Sequence, residues 1–207
     1  MDIVDKQSAV HVIDDDALLR GAIGSLLRSV GMRTLSYDSG AAFLASDRPD
    51  VPGCILLDVR LRGTSGLDFQ TQLTALGIHL PVIIMTGYGD VPMSVRAMKA
   101  GAVDFLTKPF RDQDLLDAVS VAVERDRLRR QGTRELDALN ERFNGLSLRE
   151  KQVMELITAG LLNKQAAYQL GLSEITVKLY RASAMKKMEA KTLADLVRMA
   201  DRLGLRV

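Results

Sequence analysis

In the front half of the chain, short apolar runs alternate with stretches where apolar residues recur every three or four positions. Ala9-Val10-His11-Val12-Ile13 is the first run, and it stops at Asp14-Asp15-Asp16. Residues 17–29 then carry Leu18, Leu19, Ala22, Ile23, Leu26 and Leu27 at helical spacing, with Gly31 where a helix would end. Met32 to Tyr37 predicts a strand and Ser39 to Ala45 a short helix. Gly53-Cys54-Ile55-Leu56-Leu57-Asp58 suits a strand covered on both faces, as in a parallel sheet, and it ends on a carboxylate. A loop over residues 61–66 and a helix over 67–76 follow. Leu80 to Met85 predicts a fourth strand, ending at Thr86-Gly87, and residues 91–100 a helix closed by Gly101. Ala102 to Leu106 predicts a fifth strand ending at Thr107-Lys108-Pro109, and another helix opens at Asp112. Strands alternating with helices imply an α/β, doubly wound, five-stranded parallel sheet.

Beyond Asp112 the pattern is helical only. Residues 112–143 can run as one helix, with Leu115, Leu116, Val119 and Val123 suited to packing on the sheet. Asp126-Arg127-Leu128-Arg129-Arg130-Gln131 reads as a charged, exposed stretch, and Leu136, Leu139 and Phe143 resume a narrow apolar stripe. Gly132 weakens that helix and is a candidate hinge. A solvated linker and a dimerising helix both fit. Ser147-Leu148-Arg149-Glu150 is a capping-box pattern opening a helix that ends at Gly160. Asn163 is a candidate cap for a second helix, Gly171-Leu172 a tight turn, and Ser173 the cap of a third helix carrying Ile175, Val177, Leu179 and Met185. A fourth helix spans Leu193 to Leu203. This is the layout of an all-α helix-turn-helix domain. The expected organisation is an α/β domain over residues 1–122, a helical linker over 123–144 and the helix-turn-helix domain over 145–207.

Charge sharpens that division. Residues 1–125 hold 12 Lys and Arg against 16 Asp and Glu, whereas residues 126–207 hold 16 against 10. An acidic front and a basic back predict different partners, the back one a nucleic acid. The N-terminus lacks a signal-peptide layout, and no apolar run nears the ~20 residues of a membrane span. A single cysteine, Cys54, cannot form an internal disulfide, so the composition is read as cytoplasmic. His11 and His79 are read as structural.

The chemistry lies at the strand ends. Asp14 and Asp15, Asp58, Thr86 and Lys108 each follow an apolar run, so a parallel sheet gathers them on one edge, in the crevice where open α/β sheets hold ligands. Converging carboxylates repel unless a cation lies between them. Oxygen donors without His or Cys favour Mg²⁺ with room for a phosphate. An Asp carboxylate can act as nucleophile and form an aspartyl phosphate, with a lysine neutralising the charge that develops. Taken singly, the residues have plainer readings. Asp14 or Asp15 could cap the first helix, a role Asp16 fits better, and Lys108 could be a solvated lysine. Thr86 could belong to a turn and Phe105 to the core.

Residues 8–122 resemble the receiver domain of bacterial two-component response regulators, a flavodoxin-like fold. The resemblance rests on Val12-Ile13-Asp14-Asp15, Leu56-Leu57-Asp58-Val59-Arg60, Met85-Thr86-Gly87 and Thr107-Lys108-Pro109-Phe110. It implies that Asp58 accepts phosphoryl from a sensor histidine kinase. Asp14, Asp15 and Asp58 would hold Mg²⁺ with the Arg60 backbone carbonyl, Thr86 and Lys108 would meet the phosphoryl group, and Phe105 would be an aromatic switch. The stretch from Gly89 to Gly101 resembles the FixJ subgroup. Arg62 departs from the pattern, since many relatives have proline there.

Residues 145–205 resemble the LuxR-type (NarL/FixJ) DNA-binding domain. The matching residues are Leu148-Arg149-Glu150, Gly160-Leu161-Leu162-Asn163-Lys164, Leu170-Gly171-Leu172-Ser173 and Thr176-Val177-Lys178. That resemblance implies base contacts from Lys178, Arg181, Leu179 and Ala182, and backbone contacts from Asn163, Lys164, Ser173 and Thr176. Lys186 and Lys187 add to the basic cluster, and Tyr180 stands where relatives often have histidine.

The combined reading is a FixJ/NarL-type transcription regulator. Its partners would be promoter DNA, RNA polymerase and, on phosphorylation, a second copy. It would not be an enzyme, with at most slow self-dephosphorylation. Two other classes compete. Asp14-Asp15-Asp16 also fits the Asp-x-Asp of haloacid-dehalogenase-like phosphatases, and the back domain could bind another protein instead of DNA.

Overall fold

The computed structural model describes residues 8–61, 64–87 and 91–205. The chain divides into two compact units, residues 1–130 and 131–207.

The first unit opens with β1 (Ala9–Ile13), α1 (Ala17–Ser29), β2 (Arg33–Tyr37), α2 (Gly40–Ala45) and β3 (Gly53–Asp58). A small ribbon, β4 (Arg60–Leu61) and β5 (Thr64–Ser65), leads into α3 (Gly66–Ala75). It continues with β6 (Val82–Thr86), α4 (Val91–Lys99), β7 (Asp104–Thr107) and α5 (Asp112–Asn144), whose last turns belong to the second unit. The main sheet is parallel with strand order β2-β1-β3-β6-β7, so the five-stranded doubly wound expectation holds.

Alternation along each strand divides the core into two layers. Val10, Val12, Cys54, Leu56, Ile83 and Met85 face α1 and α5, meeting Ile23, Leu27, Leu115, Val119 and Ala122. Ile13, Ile55, Leu57 and Ile84 face the other way, onto Phe43 of α2, Leu67, Phe69 and Leu73 of α3, and Ala97 of α4. The central strands are apolar on both faces because both faces are covered. His11 is buried in the layer that contains Phe43, stacked on Tyr37 with Nδ1 3.1 Å from its hydroxyl. Desolvation, followed by the charges of Arg48 and Arg33, lowers its pKa to about 4, so it stays neutral as a structural histidine should.

Three sequence expectations change. The stretch after Asp58 is not only a loop: Arg60 pairs with Ser65 and Leu61 with Thr64 in an antiparallel ribbon, which buries Leu61. Of the helical apolar positions of α1, Ile23 and Leu27 are buried but Leu18 is exposed, because the helix presents a narrower stripe than its composition allows. Asp126, read as exposed, has 0% of its surface exposed. Its carboxylate accepts from the Gly53 backbone N–H (3.1 Å) and from the guanidinium groups of Arg129 and Arg130, and Arg130 also binds Asp50. Tertiary partners make a buried charge tolerable where the local pattern predicted solvent. Arg62 and residues 88–90 lie outside the described residues.

The second unit contains the end of α5, then α6 (Leu148–Thr158), α7 (Asn163–Leu170), α8 (Glu174–Lys187) and α9 (Leu193–Arg202). Ser147 and Glu150 form the expected capping box on α6, and Ser173 caps α8. Gly171, at φ 65° and ψ 34°, lies in the left-handed region where a side chain would be strained, which makes the tight turn between α7 and α8. Val153, Ile157, Ala166, Ala167 and Val177 form one core cluster, and Leu139, Leu146, Met154, Ala184, Met188, Leu196 and Ala200 another.

Candidate functional site

The strand order reverses direction of growth between β1 and β3, the switch point where doubly wound sheets bind ligands. Asp14 follows β1 and Asp58 ends β3, on the two sides of that point. Both are buried, Asp58 with 5% of its surface exposed. Lys108, after β7, places Nζ 2.6 Å from Asp14 Oδ2 and 2.6 Å from Asp58 Oδ1. Burial opposes its charge, but the hydrogen bonds to Asp14 and Asp58 outweigh it and hold the Lys108 pKa above its ordinary value. The ammonium therefore remains protonated and balances carboxylates that would otherwise repel.

Local structure holds the other carboxylate oxygens. Asp14 Oδ1 accepts from the Asp16 backbone N–H (2.9 Å), and Asp58 Oδ2 from that of Arg60 (2.9 Å). Arg20 donates to the Asp14 carbonyl oxygen (2.5 Å). Asp16, not Asp14 or Asp15, caps α1, accepting from the N–H groups of Leu18 and Leu19. Asp14, Asp15 and Asp58 can each offer one oxygen within 4.8 Å of the others. An all-oxygen donor set fits a hard divalent cation. Gly66 permits the tight return beside Asp58: a Cβ there would stand 2.2 Å from the Asp58 carbonyl oxygen.

Thr86 ends β6 beside β3, is buried, and its hydroxyl donates to Met93 Sδ at 3.9 Å. The Lys108 N–H donates to the Thr86 carbonyl (2.7 Å), so these two strand ends are tied together. The Lys108–Pro109 peptide is cis. Phe105 pairs with Ile84, lower on the sheet than the acidic cluster, and is half-buried against the α3–α4 layer. Arg60 follows Asp58 with its side chain exposed.

In the second unit, Lys164, Ser173, Lys178, Leu179 and Ala182 are exposed, while Asn163, Thr176 and Arg181 are partly buried. Asn163 is not the cap of α7. Leu162 occupies that position, and its N–H donates to Gln165 Oε1 (2.8 Å), so a glutamine reaching back replaces the expected asparagine cap. Asn163 Oδ1 instead accepts from Arg181 (3.3 Å), joining α7 to α8. The basic cluster is also partly committed. Lys187 donates to Glu150 Oε2 (2.7 Å), and Ser183 donates to Glu150 Oε1 (2.7 Å). Lys187, then Ser183, lowers the Glu150 pKa to about 2. The capping-box pattern identified Glu150; that the same carboxylate would clamp α8 was not visible in spacing. Lys178 pairs with Glu174 at 3.0 Å, an exposed pair that polyanions can displace.

A strand-end cluster of three carboxylates and a shared lysine on a doubly wound sheet, followed by a helix-turn-helix, defines a phosphorylation-controlled DNA-binding regulator. The response regulator receiver domain family matches residues 10–120, and the luxR family of bacterial regulatory proteins matches residues 144–200. The chain belongs to the response regulators that join these two domains. It is 55% identical to nodulation protein W of Bradyrhizobium diazoefficiens over 96% of this chain and 88% of that one. It is 50% identical to the transcriptional regulatory protein FixJ of Azorhizobium caulinodans over 92% of this chain and 90% of that one. The solved structure of the response regulator StyR is similar with a TM-score of 0.85 and 43% identity, covering 95% of this chain and 99% of that one. Among the described residues, no helix is long and apolar enough to cross a membrane.

Proposed function

We propose that Asp58 is the phospho-acceptor and that its phosphorylation by a sensor histidine kinase controls promoter binding by α8. The observation that carries this reading is the convergence of Asp14 and Asp58 on the Lys108 ammonium at 2.6 Å each. A carboxylate oxygen of Asp58 attacks phosphorus, and the bond between phosphorus and the donor's imidazole nitrogen breaks. Lys108, kept protonated, follows the charge onto the phosphoryl oxygens, and the Thr86 hydroxyl donates to one of them. Asp14, Asp15 and Asp58, with the Arg60 backbone carbonyl, are the residues that would hold Mg²⁺. When bound, that ion supplies positive charge to the phosphoryl oxygens. Phe105 acts as the switch, changing the surface beside β6 and β7, and the output is dimerisation, release of the DNA-binding domain, or both.

We assign the receiver to residues 1–122, the linker to 123–144 and the DNA-binding domain to 145–207. Asn163, Lys164, Ser173 and Thr176 grip the DNA backbone, while Lys178, Leu179, Arg181 and Ala182 face the bases. RNA polymerase is the further partner on the promoter. This work belongs to the bacterial cytoplasm, and the chain turns over no substrate beyond slow loss of its own phosphoryl group.

Intact mass after incubation with Mg²⁺ and acetyl phosphate tests the acceptor. One added phosphoryl group on the wild type and none on Asp58→Asn is the expected result. Addition to both proteins would move the acceptor to Asp14 or another acid and return the phosphatase chemistry to consideration.

A further inference from the structure

The outer face of α8 is not uniformly basic. Ile175 and Leu179, one helical turn apart, are 72% and 67% exposed, and exposed Ala182 continues the stripe. The core does not need them: α8 packs inward through buried Val177 and Ala184. Lys178, Arg181 and Lys186 on the same helix place these aliphatic groups in a cationic setting, with Glu174, next to Ile175, paired to Lys178.

Leaving two branched aliphatic side chains in water gives up the burial energy they would gain against an apolar partner. The surrounding charge requires that partner to be polyanionic at its rim and apolar at the point of contact. The major groove of duplex DNA has this chemistry, with phosphates along its edges and the thymine C5-methyl as the apolar group on its floor. Ile175 is the second residue of α8, and the N-terminal residues of a recognition helix are those that approach base edges.

We propose that Ile175 and Leu179 form an apolar reading edge that selects thymine through its 5-methyl group, with Lys178 reading alongside. This rests on the reading of α8 as the recognition helix. Ile175 then determines specificity, although it is absent from the contacts implied by family resemblance.

The test begins with selection of bound duplexes from a random library, using the full-length phosphorylated protein. Each thymine of the enriched half-site is then replaced by deoxyuridine, which removes only the methyl. At one or two positions the wild type is expected to bind about fourfold more weakly per methyl removed. Ile175→Ala and Leu179→Ala should each lose that discrimination at the thymine which its own side chain meets. Both side chains are exposed, so unchanged melting temperatures verify that the variants fold. Equal sensitivity of wild type and variants at every thymine, or an enriched half-site with no thymine, would overturn the proposal. Lys178→Ala separates it from the reading beneath it. Weaker binding and a shallower salt dependence in that variant keep α8 in the groove even if the apolar edge fails. No change in either would remove α8 from the groove and the apolar edge with it.

Discussion

At the residue scale, single side chains do two jobs. Lys108 joins two buried carboxylates, and Glu150 both caps α6 and holds Ser183 and Lys187 of α8. Glu150 makes a pH prediction. Its pKa falls from 4.5 to about 2 in the folded chain. The stabilisation is therefore complete above pH 4.5 and is lost as pH falls toward 2, because the unfolded chain binds the proton first. Chemical unfolding followed across that window should show the DNA-binding unit weakening more steeply in the wild type than in Glu150→Gln. Parallel profiles would show that Glu150 carries no linked stability. Lys187 is partly exposed and stays hydrated when its partner is removed, so Glu150→Ala should cost on the order of 1–3 kcal/mol, not the larger penalty of a fully buried pair.

At the element scale, β3 is fixed at both ends. Asp58 at its C-terminal end belongs to the acidic cluster, and Gly53 at its start donates to buried Asp126 of α5. Arg129 and Arg130 complete that carboxylate's shell, so the network pins α5 to the strand edge opposite the cluster. Asp126→Ala would leave the Gly53 N–H unpaired and two arginines without their shared acceptor. A loss of about 3 kcal/mol in receiver stability is expected by urea unfolding. A change below about 0.5 kcal/mol would show that the network is replaceable by water. The two-residue strands β4 and β5 show how short-range pairing escapes a periodicity reading, because four paired residues have too little pattern to register.

At the scale of the whole molecule, the two units each have their own cores and different ligand chemistry. A cation bound by Asp14, Asp15 and Asp58 stabilises only the unit that contains them, by mass action. Calorimetry should show Mg²⁺ raising the receiver transition, by about 2.7 kcal/mol at a hundredfold excess over its dissociation constant, while the DNA-binding transition stays in place. Asp14→Ala should lose the shift. An unshifted wild-type receiver would deny the cluster its cation.

The sequence alone determined the doubly wound sheet, the helix-turn-helix and the residues at the strand ends. These follow from short-range periodicity and from the rule that a parallel sheet brings its carboxyl ends to one edge. The sequence by itself groups Asp14, Asp58 and Lys108, because Asp14 and Asp58 directly follow apolar runs and Lys108 comes one residue after another. Only the tertiary structure decided that Asp126 is buried, since its partner Gly53 lies 73 residues away. It also decided that Asn163 bonds Arg181 instead of capping α7, and that Ile175 and Leu179 face outward while Val177 faces in. Spacing along a helix says which residues share a face. Which face meets the core depends on packing against elements distant in the chain.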